Sequence, residues 1–144
     1  MGGFSGKFES ARQDYETPDE LFSPLMEKYK FTLDVAASSE NTKCDRFFTE
    51  SDNGLKQPWH GVCWLNPPYG RPIRPWLEKA VSEMQRGVTT VTLIPARTNT
   101  NWFHDLCLKH GSVTFVRGRP RFSGLKHGLP QPLVIVAFIP QEAE

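Results

Sequence analysis

The stretch that most constrains how this chain can fold is Val62-Cys63-Trp64-Leu65-Asn66-Pro67-Pro68-Tyr69-Gly70. Four apolar residues, too few for a helix and rich in types that favour a pleated backbone, run straight into an Asn and two prolines. This predicts a buried strand that stops abruptly. Each proline pushes the residue before it out of the helical region, so Asn66 and Pro67 are expected to be held extended where the strand ends. In an open α/β sheet the carboxyl edge of the strands is where ligands bind.

The residues at that corner suit recognition of an exocyclic amine. An Asn side-chain oxygen and the Pro67 carbonyl are two acceptors, an amino group such as that of adenine offers two hydrogens, and the Tyr69 ring can stack on a base. Holding both hydrogens draws the nitrogen toward pyramidal geometry and turns its lone pair outward. Asn-Pro is also a common turn starter, and the preceding apolar strand is what distinguishes the two readings.

Asn66-Pro67-Pro68-Tyr69 resembles the catalytic motif of S-adenosylmethionine-dependent amino methyltransferases. The wider series resembles the small phage-type DNA N6-adenine methyltransferase family: Thr17-Pro18, Leu33-Asp34-Val35-Ala36-Ala37, Asn41, Trp59-His60-Gly61, Leu93-Ile94-Pro95-Ala96, and Gly118-Arg119 with Phe122. These pieces span most of the chain in order. The resemblance implies a truncated Rossmann-like methyltransferase fold with S-adenosylmethionine as cofactor and DNA as substrate. It also implies that Thr17 and Pro18 pack over the cofactor's methionine end.

The chain has 144 residues, enough for one sheet covered by a few helices and too few for a separate recognition domain. Cys44, Cys63 and Cys107 show no paired spacing and read as free thiols of a reducing compartment. No metal site is implied, and no segment has the length or apolarity of a membrane span. A cytoplasmic location in a bacterial host is expected. The net charge of +1 hides an asymmetry: residues 1–70 hold seven Lys/Arg against eleven Asp/Glu, residues 71–141 ten against three. A basic second half is what a phosphate backbone selects, and is equally compatible with a solvated basic face.

In chain order, residues 1–16 carry no sustained period and read as a flexible lead-in to a domain over 17–140. Thr17-Pro18-Asp19-Glu20 predicts a helix start, with Thr17 as N-cap and a capping box to Glu20. Leu21, Phe22, Leu25, Met26 and Tyr29 then recur at helical spacing. Phe31 to Ala36 predicts a first parallel strand ending in a carboxylate, Asp34, and small residues, where related methyltransferases carry a glycine-rich loop. Asp34 could accept from a cofactor amino group, or be a loop acid. The segment 38–61 is too short for two strand-helix units, which predicts a sheet truncated on that side. Asn41 and Asp45 are candidates to replace the missing ribose-binding acid, and Asp52 resembles an acid that meets the cofactor's adenine. Asp52-Asn53-Gly54 is equally a turn signal, and Trp59 reads as core.

Ile73, Trp76, Leu77, Ala80, Val81 and Met84 predict an amphipathic helix starting near Arg74 and ended at Gly87. Arg71 and Arg74 stand where a phosphate would pass, although arginines near a helix start are ordinary. A strand at Thr90–Ile94 and a helix capped near Asn99 or Thr100 follow, then a strand over 113–116. The loop carrying Arg117, Arg119, Arg121, Phe122 and Lys126 interleaves cations with an aromatic, the composition of a backbone-gripping, base-stacking element. Phe122 is placed against the target adenine opposite Tyr69, with a buried loop anchor as its alternative. Leu133 to Ile139 is almost wholly apolar and should be central in the sheet, and the resemblance implies that it inserts antiparallel between its two predecessors.

The expected architecture is a single α/β domain with a mainly parallel sheet of about five strands, its last strand antiparallel, and helices on its faces. Two rival functions share the features named: methylation of a glutamine side-chain amide in proteins, and a non-catalytic nucleic-acid-binding module on the same fold.

Overall fold

A run without a single polar side chain, Leu133–Phe138, can be buried on both faces only if both its edges are paired, and the sheet is arranged that way. In the computed structural model, which describes residues 17–68, 71–118 and 131–141, strands β1 (Leu33–Asp34), β2 (Val62–Leu65), β3 (Thr89–Pro95), β4 (Ser112–Phe115) and β5 (Leu133–Phe138) form one sheet in the order β1-β2-β3-β5-β4. β1, β2 and β3 pair in parallel, with Leu33 opposite Cys63 and Leu65 opposite Thr92. β5 runs antiparallel to both its neighbours, with Ile135 opposite Leu93 on one side and Thr114 on the other. The expected insertion of the last strand is therefore observed, and among the described strands β5 alone is opposed to the direction of the other four.

Pleating divides the side chains between two cores. Cys63 and Leu65 of β2, with Ile94, Val134, Val136 and Phe138, face helix α2 (Arg74–Gln85) and its Trp76, Leu77 and Ala80. Trp64, Val91, Leu93 and Leu133 face the other way, toward helix α1 (Asp19–Tyr29). Phe22 of α1 meets Trp64 edge-on with ring centroids 5.0 Å apart. Helices thus lie on both faces, and α2 begins at Arg74 as its periodicity requires. Cys44, Cys63 and Cys107 are buried and free, and burial pushes each thiol up to about 12, so they stay protonated.

Two elements depart from the sequence reading. α1 starts with Pro18 at the N-cap and has no side-chain cap, so the expected capping box does not form. The Thr17 hydroxyl is engaged instead by a residue 49 positions away. The chain from 101 to 110 is helical, but Phe103–Leu108 is wound as a π-helix, a widening that a 3.6-residue pattern does not disclose. Its start is capped as expected, with Thr100 Oγ1 accepting from the Phe103 N–H at 3.3 Å.

The β1 edge is short, as the spacing of 38–61 predicts. Only two residues are in strand, and on their outer side the described residues add one parallel bridge, Asp34 to Phe47. The Asp34 N–H donates to Arg46 O at 3.0 Å and the Phe48 N–H to Asp34 O at 2.9 Å. No helix among the described residues is long and apolar enough to cross a membrane. No cluster of His, Cys, Asp and Glu among them could hold a metal ion.

Candidate active site

A cavity of about 420 Å³ opens at the carboxyl ends of β1 and β2. The chain leaving β2 supplies Asn66, Pro67 and Pro68, and the chain leaving β1 supplies Asp34 through Ser38. Thr17, just before α1, closes one side together with Lys43. Loop 49–55 and the first turn of α2, with Pro75 and Trp76, close the other. Volumes of this size hold ligands of a few dozen heavy atoms, and the lining combines apolar walls with a few convergent polar groups.

Of the two acids that line it, Asp34 is the buried one, only 3% exposed. Its Oδ2 accepts from the Lys43 N–H at 2.9 Å and its Oδ1 from the Ala36 N–H at 3.4 Å. Burial dominates over these donors and over the nearby Lys43 charge, raising the carboxyl from 3.8 to about 6. The Lys43 ammonium donates to the Thr17 carbonyl at 3.0 Å and lies 5.2 Å from the centre of the Phe22 ring, tying the entry of α1 to the same wall.

The turn that follows β1 is shaped without glycine. The Ser38 N–H donates to Asn41 Oδ1 at 2.8 Å, and the Asn41 N–H donates to Ser38 Oγ at 3.2 Å, a reciprocal pair that fixes the turn while Ala36 and Ala37 keep its inner surface low. The glycine that matters is on the opposite wall. A Cβ on Gly54 would sit 2.2 Å from the Val35 carbonyl oxygen, so only glycine lets loop 49–55 approach the end of β1. Trp59 Nε1 holds Gly54 there by donating to its carbonyl at 2.8 Å, and Trp59 is core, as expected. Across the rim, Arg71 donates to Glu50 Oε2 at 2.8 Å, joining the loop after the double proline to loop 49–55.

A model of the DNA N-6-adenine-methyltransferase (Dam) family matches residues 5–137. The chain belongs to that family. It is 38% identical over 100 residues to the DNA N-6-adenine-methyltransferase of Escherichia phage T1, a stretch covering 67% of this chain and 42% of that protein. It is 39% identical over 83 residues to the enzyme of the same name from Haemophilus phage HP1, covering 56% of this chain and 47% of that protein. The chain thus spans less than half the length of these two curated relatives.

Of the residues that the sequence singles out in this Dam-family chain, Thr17, Asp34, Ala36, Asn41, Asn66, Pro67, Pro68 and Arg71 line one cavity, although they come from distant segments. Pro18, Asp45, Asp52, Arg74 and Arg117 do not line it. Asp52 is exposed, and its carboxylate accepts from the Thr49 N–H at 2.8 Å and from the Thr49 hydroxyl at 3.0 Å, shaping loop 49–55 from outside. Arg74 pairs with Glu78 on its own helix at 3.1 Å, and Arg117 is exposed beyond β4. Tyr69, Arg119, Arg121, Phe122 and Lys126, like the 1–16 lead-in, lie outside the described residues. Sequence reasoning passed over Lys43, Glu50, Gly54 and Trp76 as cavity residues. Asp52-Asn53-Gly54 carried a signal for a turn but none for what the turn would face.

Proposed function

We propose that the chain is an S-adenosylmethionine-dependent methyltransferase acting on adenine N6 in DNA, in the cytoplasm of a bacterial host. The observation that carries this reading is that Asn66 and Pro67, at the end of β2, share one cavity with the buried carboxylate Asp34 at the end of β1. Membership of the Dam family and the names of the phage relatives support it. The strand order, with β5 antiparallel between β3 and β4, supports a Rossmann-like methyltransferase sheet that stops at β1.

The cavity fits the cofactor on its own chemistry. A buried acid held by backbone N–H groups suits a ligand bearing an ammonium and a sulfonium, and Leu55, Pro75 and Trp76 offer apolar surface to an adenosine. Asp34 and the Ala36–Asn41 turn would hold it, with Thr17 on the wall alongside. In this reading Asn41 and Asp52 act through the loops they brace, while Asp45, exposed, is the weakest candidate for a ribose contact. S-adenosylmethionine supplies an electrophilic methyl group when bound.

The chain's own residues then position the nucleophile. An adenine inside a duplex is out of reach, so the base is flipped out, and Tyr69, with Phe122 opposite, replaces its lost stacking. Asn66 Oδ1 and the Pro67 carbonyl accept the two amine hydrogens, and Pro68 fixes the backbone that presents them. The proton departs to solvent after transfer, so no dedicated base is required; catalysis rests on alignment and on the two acceptors. Arg71, Arg74, Arg117, Arg119, Arg121 and Lys126 neutralise phosphates on either side of the flipped base.

The test is to sequence methylated adenines in DNA from cells expressing the protein and its Asn66→Ala variant. N6-methyladenine with the parent chain, and its loss by a factor of about a hundred or more with Asn66→Ala at nearly unchanged cofactor affinity, is the expected result. Methyl label found in protein and not in DNA would overturn the assignment.

A further inference from the structure

Asn66 has two ends of nearly the same shape and opposite hydrogen-bonding character, and the reaction just proposed works with only one of them facing the amine. Something must hold the NH2 end. Asn66 Nδ2 lies 3.4 Å from Thr17 Oγ1, and Thr17 is 2% exposed. That hydroxyl stands where a helix cap is expected, yet α1 has no side-chain cap. Its local role is given up for a contact across 49 positions of sequence.

Thr17 is itself anchored. Its carbonyl accepts from Lys43 Nζ at 3.0 Å. The carbonyl of the next residue, Pro18, accepts from the Leu21 and Phe22 N–H groups at 3.0 and 2.9 Å. The backbone of the same Lys43 donates to Asp34. A continuous set of bonds therefore runs from the carboxylate at the end of β1, through Lys43, to Thr17 and on to the amide at the end of β2.

We propose that Thr17 is a positioning residue for Asn66: its hydroxyl accepts from Nδ2, turning Oδ1 toward the cavity, and Lys43 keeps that hydroxyl in place. The inference rests on the proposed reaction for its consequence in turnover, and on geometry alone for the orientation of the amide. It gives Thr17 a task distinct from contact with the cofactor.

Two measurements on the full chain test it. The first compares kcat, KM for DNA and calorimetric affinity for S-adenosylmethionine among the parent, Thr17→Val and Thr17→Ser, each checked by thermal melting. Thr17→Val is expected to lower kcat about tenfold or more with cofactor affinity within about twofold of the parent, and Thr17→Ser to recover most of the loss. Retained kcat in Thr17→Val, a fall in cofactor affinity that accounts for the loss, or no recovery in Thr17→Ser would each overturn the proposal. The second follows the side-chain NH2 protons of Asn66 by 15N-resolved NMR, which needs no turnover. Thr17→Val should move one of the two proton shifts and Thr17→Ser should restore it; unmoved shifts would overturn the proposal even in an active enzyme. If the parent methylates no DNA while the NMR result holds, the proposed reaction fails and the positioning contact stands.

Discussion

The two sides of the sheet are built by different means. Around β5, seven- and six-residue strands pair over six positions, and their side chains are almost all buried. At β1 the strand has two residues, and order comes from side chains bonded to backbone: Asn41 to Ser38, Asp34 to Lys43 and Ala36, Asp52 to Thr49. One side is stabilised by apolar area, which is indifferent to pH and to single polar groups. The other is stabilised by a few polar contacts, which can be disturbed one at a time. The cavity is on the second side. Its walls must present polar atoms to a ligand, and a fully paired, apolar strand has none to spare.

Three experiments sharpen that contrast, the largest effect first. Phe138→Ala in β5 removes a side chain of 0% exposure from the core against α2 and should cost about 3–5 kcal/mol in denaturant unfolding, with no pH dependence of its own. A loss below about 1 kcal/mol would mean that this side is not the stability core.

Asp34 should give the next largest effect. Its folded value, about 6, is above its ordinary 3.8, so the folded state binds the proton more tightly than the unfolded state. The sign follows from linkage: the contribution is stabilising below about pH 3.8, is lost as pH rises to about 6, and is flat above. Over that window the span is about 3 kcal/mol, at 1.36 kcal/mol per unit. Urea titrations of the parent and Asp34→Asn at pH 4 and pH 7 check it, the variant lacking that fall. Affinity for a cationic cofactor should move the opposite way, rising through pH 6 as the carboxylate ionises.

Asn41→Ala is the mildest. It leaves the Ser38 N–H without its acceptor and should lower stability by about 1 kcal/mol, while loosening the turn where the cofactor would lie. Calorimetry should find a loss of cofactor affinity larger than the loss of stability; equal losses would mean that the turn and the core are one cooperative unit.

The same contrast explains what could be read from the sequence. The β5 side was legible because its signals are local: an unbroken apolar run for β5 and a 3.6-residue stripe for α2. On the β1 side the truncation was legible from the chain length between β1 and β2. Asn66, Pro67 and Asp34 were legible because each ends a strand. Glu50, Gly54 and Lys43 were not, since their importance depends on which distant backbone they approach. Gly54 looks like any turn glycine until the Val35 carbonyl is placed against it. Thr17 misled for the converse reason. Its immediate neighbours make a sound helix cap, and a partner far along the chain claimed the hydroxyl instead.

The link between Arg71 and Glu50 carries one more consequence. Both side chains are more than half exposed, so the bond that spans the mouth of the cavity is worth at most about 1 kcal/mol and weakens as salt is added. A tie of that strength contributes little to holding the two loops together. A polyanion that draws the Arg71 guanidinium outward competes with the Glu50 carboxylate for it, so engagement of Arg71 from outside is expected to weaken this tie across the mouth.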